Sequence, residues 1–134
     1  MTRLMCALCL LVISACSCRT SPGTKDVRIG PKLDENRIRA EVLEHTPIRS
    51  SANQVLGFAR GQLKHIAPEP IYEQVPARGR RSPESAVVRV GVRSLSVCLG
   101  EYGFPVRRAT FVSWGFDGDD KLVDVVVEKE RDSL

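Results

Sequence analysis

Leu4 to Ile13 is an unbroken apolar run of ten residues behind a short head carrying Arg3. That is the size of a signal-peptide core and too short to cross a bilayer as a helix. The next apolar pattern is helical. Ile38, Val42 and Leu43 recur on one face, while Arg37, Arg39, Glu41 and Glu44 take the others. Asp34 is a suitable N-cap, Glu35 complements the helix dipole, and Glu35 and Arg39 are spaced i,i+4. These features predict a helix over 34–45, stopped where Thr46 precedes Pro47. Ser51 and Gln54 form a capping-box pattern before the stripe Val55, Leu56, Ala59 and Leu63, which predicts a second helix over 52–65. Gly57 and Gly61 lie four apart on it and suggest close packing on a sheet, at some cost in helix propensity.

From Ala86 the period becomes two. Val88, Val90 and Val92 share one face, and Arg89 and Arg93 the other. After Ser94 the parity inverts, with Leu95, Val97 and Leu99 apolar. A one-residue slip exchanges the faces of a strand, so a β-bulge is expected near Arg93–Ser94. Gly100 to Pro105 reads as a turn and Val106 to Phe116 as a second strand, with Val112, Trp114 and Phe116 on one face. Asp117-Gly118-Asp119-Asp120 has hairpin-turn chemistry. Lys121 to Lys129 follows as a third strand, with Val123, Val125 and Val127 inward. Trp114 is the expected core anchor. Residues 67–85, broken by Pro68, Pro70, Pro76 and Pro83, read as a long connector. It has a short extended piece at Ile71-Tyr72 and a basic tip at Arg78-Gly79-Arg80-Arg81. The expected fold class is α+β: two N-terminal helices packed on a three-stranded antiparallel β-meander. This domain spans 34–134 and follows a signal peptide (1–15) and a flexible tether (16–33).

Charge adds a division along the chain. The formal net charge is +4, too mild to argue for nucleic acid. Yet residues 78–108 hold seven Arg against Glu84 and Glu101, and residues 117–134 hold seven carboxylates against Lys121, Lys129 and Arg131. Two strands with complementary exposed faces explain this. The alternative is an Arg-rich contact surface for an anionic partner or lipid head groups, with Arg78, Arg80 and Arg81 as the candidate contacts. His45 and His65 are twenty residues apart with no ligand partner nearby, so neither metal nor cofactor is expected. Asp117 to Asp120 is too short and too poor in oxygen ligands for a calcium loop. No nucleophile elbow, phosphate-cradling Gly loop or zinc motif is present, and no enzyme is expected. Beyond the signal, Cys18 and Cys98 could pair in an exported chain, but Cys98 sits in an apolar run and reads as a buried free thiol.

Ile13-Ser14-Ala15-Cys16 closes the apolar run. It resembles the lipobox of bacterial lipoproteins, which implies that Cys16 is diacylated and becomes the first residue of the mature chain. The membrane, through Cys16, is then the first expected partner. In a Gram-negative cell, Ser17 in place of Asp implies passage to the outer membrane, with the domain in the periplasm. The helix–helix–meander order, with Thr46 to Val55 at the turn into the second helix and Trp114-Gly-Phe116-Asp117…Leu122 at the hairpin, resembles the SmpA/OmlA (BamE) group and the related β-lactamase-inhibitor-like fold. The longer Pro/Arg connector and Thr46-Pro47 at the helix turn depart from that group's pattern. The resemblance implies a non-catalytic binding or scaffold lipoprotein in outer-membrane assembly or integrity, with an envelope protein as partner; it carries over no residue-level site. An inhibitor or immunity-type module, or a structural lipoprotein with no specific protein ligand, remain open beside it.

Overall fold

The computed structural model describes residues 27–64, 67, 69–81 and 87–131. Two helices, α1 (Glu35–His45) and α2 (Ala52–Gln62), precede six strands: β1 (Ile71–Glu73), β2 (Ala77–Arg81), β3 (Val87–Val90), β4 (Arg93–Tyr102), β5 (Arg108–Phe116) and β6 (Leu122–Arg131). The expected three-stranded sheet is replaced by a four-stranded antiparallel sheet in the order β1-β4-β5-β6, with a separate two-stranded sheet of β2 and β3. Strands therefore dominate the fold. The cause lies in the connector. Its Ile71–Glu73 pairs with Ser94–Ser96 at one sheet edge, and its Ala77–Arg81 pairs with the strand that follows.

The helices form where their local signals place them. Asp34 caps α1, accepting from the N–H groups of Asn36 and Arg37. Ser51 and Gln54 close a reciprocal capping box on α2. α2 ends at Gln62, and its two glycines have open space beside them and are exposed, so they do not meet the sheet. Ile38 and Val42 from α1, and Val55, Phe58, Ala59 and Leu63 nearby, cover one face of the large sheet. That face supplies Leu95, Val97, Leu99, Val112, Trp114, Val125 and Val127. Trp114 is fully buried; its Nε1 donates to Thr46 Oγ1 at 3.1 Å, and Phe58 meets its ring edge-on. Residues 27–33, at the end of the expected tether, belong to the domain: Ile29 is buried, and Thr110 Oγ1 donates to the carbonyl of Pro31 at 2.7 Å.

The parity inversion after Arg93 is a strand break, not a bulge. The chain leaves the small sheet at Val90, turns at Gly91 with φ of 74°, and enters the large sheet at Arg93. This corner crosses directly over β5. A Cβ on Gly115 would stand 2.5 Å from the carbonyl oxygen of Val90, and one on Gly91 would stand 2.4 Å from that of Phe116. Only two residues without side chains allow the sheets to approach so closely. The irregularities of the large sheet fall elsewhere, between Cys98 and Gly100 and between Gly115 and Phe116. In β6 the pairing skips from Asp124 to Leu122, which leaves Val123 exposed instead of inward.

Candidate functional site

The face of the large sheet away from the helices carries small and polar residues together with Phe111 and Val126. Ser94 and Ser96 on β4, Ser113 on β5 and Glu128 on β6 alternate with the core positions. Ser96 and Ser113 are cross-strand partners with hydroxyl oxygens 2.8 Å apart. β2 lies across this face, against β4, β5 and β6. Between β2 and the sheet runs a groove of about 410 Å3, bordered by Glu73, Val75–Arg78, Phe111, Glu128 and Glu130 and floored by the serines. Burial, then the neighbouring Glu130, pushes the Glu128 carboxyl above its ordinary range; Arg78 opposes the shift and Glu35 adds to it. The groove suits reversible polar contact with a ligand that offers both hydrogen bonds and cationic charge.

No imidazole among the described residues reaches the serines of this groove. A serine needs a base within hydrogen-bond reach. Among the described residues the one imidazole is His45, whose ring stacks on Phe58 at 5.2 Å on the helix side of the sheet. Its Nε2 is buried without a hydrogen-bond partner, 3.7 Å from Glu41 Oε1. The serines lie on the other face. Among the described residues no group of three His, Cys, Asp or Glu side chains could hold a metal ion.

The candidate residues separate. Cys16 lies outside the described residues. Arg78 is exposed on β2 and acts on Glu128 in the groove. Arg80 and Arg81 continue β2, but their side chains lie outside the described set. Cys98 is a free, half-buried thiol on β4, and Cys18 lies outside the described residues. The groove itself was hidden in the sequence. Alternating serines in a strand read as a solvated face, and only a second sheet lying over them makes a trough.

The two ends of the meander differ. At the β5–β6 turn, Asp117 accepts from the N–H groups of Lys121 and Asp119 at 2.9 Å each and pairs with Arg49 at 2.7 Å. These bonds, the one to Lys121 foremost, hold its carboxyl below the ordinary range. Asp120 is lowered by Arg93 and then by the Tyr72 hydroxyl, which donates to it at 3.1 Å. The turn that could suggest calcium is thus committed to internal bonds. At the opposite end, the β4–β5 loop carries Phe104, 97% exposed, and Val106, 49% exposed. A cavity of about 260 Å3 beside it is lined by Arg107, Arg108 and Arg131 together with Glu101 and Glu130. Arg108 and Arg131 are direct cross-strand partners, a pairing of like charges that costs stability unless an anion lies near. The sequence showed the turn but not the exposure of Phe104, since a Phe is more often buried.

No family model matches the chain, and neither a curated protein nor a solved structure matches it. No helix of the described residues is long and apolar enough to cross a membrane.

Proposed function

We propose that this chain is a lipid-anchored cell-envelope lipoprotein whose domain is a non-catalytic binding module, serving outer-membrane assembly or integrity through an envelope protein partner. The address rests on the apolar run Leu4–Ile13 closed by Ser14-Ala15-Cys16. The observation that carries the binding reading is the groove beneath β2, a charged trough of about 410 Å3 whose serines face away from the described imidazole. Among its described lining residues Glu73, Glu128 and Glu130 outnumber Arg78, so it favours a partner segment with basic side chains. The lipid at Cys16 would hold the module at the membrane and raise its effective concentration toward membrane-bound partners.

The test is membrane fractionation with mass spectrometry of the mature N-terminus, for the wild type and a Cys16→Ala variant. An acylated Cys16, with loss of the variant from the membrane fraction, is the expected result. An intact residue 1–15 segment, or unchanged fractionation of the variant, overturns the address. Crosslinking from the groove of the membrane-held protein then tests the binding role, with no adduct as the contrary outcome.

A further inference from the structure

We infer that the β4–β5 hairpin tip is a second membrane contact, inserting Phe104 and Val106 among the head groups of an anionic bilayer while Arg107, Arg108 and Arg131 hold lipid phosphates. This rests on the envelope address proposed above but concerns a different part of the molecule. Three observations converge on the tip. Phe104 is 97% exposed at the turn, with Val106 two residues on at 49%. Large apolar groups presented together at a tip mark an interaction surface, and a single aromatic with a basic collar suits the head-group boundary. The cations stand immediately behind. Arg107 precedes β5 and Arg108 opens it, Arg131 faces Arg108 across the strands, and Lys129 sits 5.7 Å from the Tyr102 ring centroid. Among the described residues, only Arg107 of these has a carboxylate within ion-pair range, Glu101, at a long 3.7 Å and with both groups exposed. The charge of Arg108 and Arg131, which make no ion pair among the described residues, and of the loosely held Arg107 is complementary to phosphate, and long arginine stems can lie along apolar surface with the guanidinium in the head-group layer.

The third observation is where the chain enters the domain. Pro31 packs on Thr110 and beside Gly100, in the half of the sheet nearest the tip. Cys16 precedes Val27 by eleven residues. At full extension such a link reaches roughly 35–40 Å, so a lipid at Cys16 and the tip can meet one bilayer together. The carboxylate-rich Asp117–Asp120 turn is at the far end of the same strands and would face away.

The full-length protein purified from membranes is reconstituted into vesicles of phosphatidylcholine alone or mixed with phosphatidylglycerol, each containing brominated acyl chains. Phe104→Trp provides a tip fluorophore, and the wild type, with its fully buried Trp114, sets the baseline. Quenching of the variant beyond the baseline on anionic vesicles, weakened by salt, is the expected result. Neutralising Arg107 or Arg108 to Gln should weaken the tip's engagement about fivefold each. Flotation of the same samples reports anchoring separately. Protein that floats with both vesicle types but shows no added quenching overturns the tip contact and leaves the anchor intact. Protein that floats only with anionic vesicles and is quenched there supports the tip and removes the anchor. Protein that floats with neither overturns both. Quenching equal on both vesicle types, and indifferent to the arginines, overturns the phosphate contact.

Discussion

The two hairpin turns of the β4–β5–β6 meander, one rich in carboxylates and one carrying Phe104, Val106 and Arg107, use their side chains differently. At the β5–β6 turn every neighbouring element converges. The α1–α2 loop bonds to Leu122 through Arg49 and Ser50, the β3–β4 corner bonds to Phe116 through Val92, and Tyr72 of β1 reaches Asp120. Phe116 is fully buried there. At the β4–β5 turn no such convergence exists among the described residues, and Phe104 stands in the open. One end is closed by internal pairing. The other leaves an aromatic ring and several arginines available to something outside the chain.

The sharpest way to break this contrast is to truncate each ring. Phe116→Ala removes a fully buried side chain and should cost about 3–5 kcal/mol, whereas Phe104→Ala should stay within about 0.5 kcal/mol; urea denaturation reads both. Equal losses would mean that Phe104 packs against something in solution. Next in size is Thr46→Val. It keeps the shape but leaves the buried Trp114 Nε1–H without its acceptor, a loss of about 1–3 kcal/mol by the same measurement. Ser51→Ala removes the α2 cap beside the bridge from Ser51 to Lys121 and should cost about 1 kcal/mol.

Smaller effects appear in the pH dependence. Asp117 and Asp120 both lie below the ordinary carboxylate range. The stability they contribute is complete above the unfolded carboxylate value and is lost as pH falls through their lowered folded values. Asp120→Asn should therefore lower Tm at neutral pH and lose less than the wild type between about pH 5 and about pH 2. Glu128 runs the other way. Its raised value means that its ionised form opposes folding as pH rises through that range. Glu128→Gln should match or exceed the wild-type Tm at neutral pH, and the difference should vanish once pH is below the ordinary carboxylate range.

The closed end was the more legible in the sequence because its signals are local. Asp34, the Ser51/Gln54 box, the Thr46-Pro47 stop and the Asp117–Asp120 turn each act within a few residues. What joins them is not local. The pairs Arg93–Asp120, Arg49–Asp117 and Arg39–Asp124 bridge distant parts of the chain, and the sequence showed only that opposite charges were segregated. The extended piece at Ile71-Tyr72 was legible, but its place as a fourth strand was not, because all three residues of β1 are exposed and no alternation marks a buried face. The inversion at Arg93 was visible, but a bulge and a crossing between sheets leave the same period-two signature. The close approach of Gly91 and Gly115 that separates them appears only in three dimensions. For the candidate site, the sequence pointed to Arg78, Arg80 and Arg81 through composition. The groove beneath β2 and the exposed tip depend on which face each strand turns outward, and a single misread register exchanges those faces.

The most direct measurement is hydrogen exchange of the full-length protein in the presence and absence of phosphatidylglycerol-containing vesicles. New protection confined to the β4–β5 loop and the strand ends beside it, with residues 117–121 unchanged, is the predicted result. Protection at the Asp117–Asp120 turn, or none at the β4–β5 loop while the protein remains vesicle-bound, would contradict the division between a closed end and a membrane-facing one.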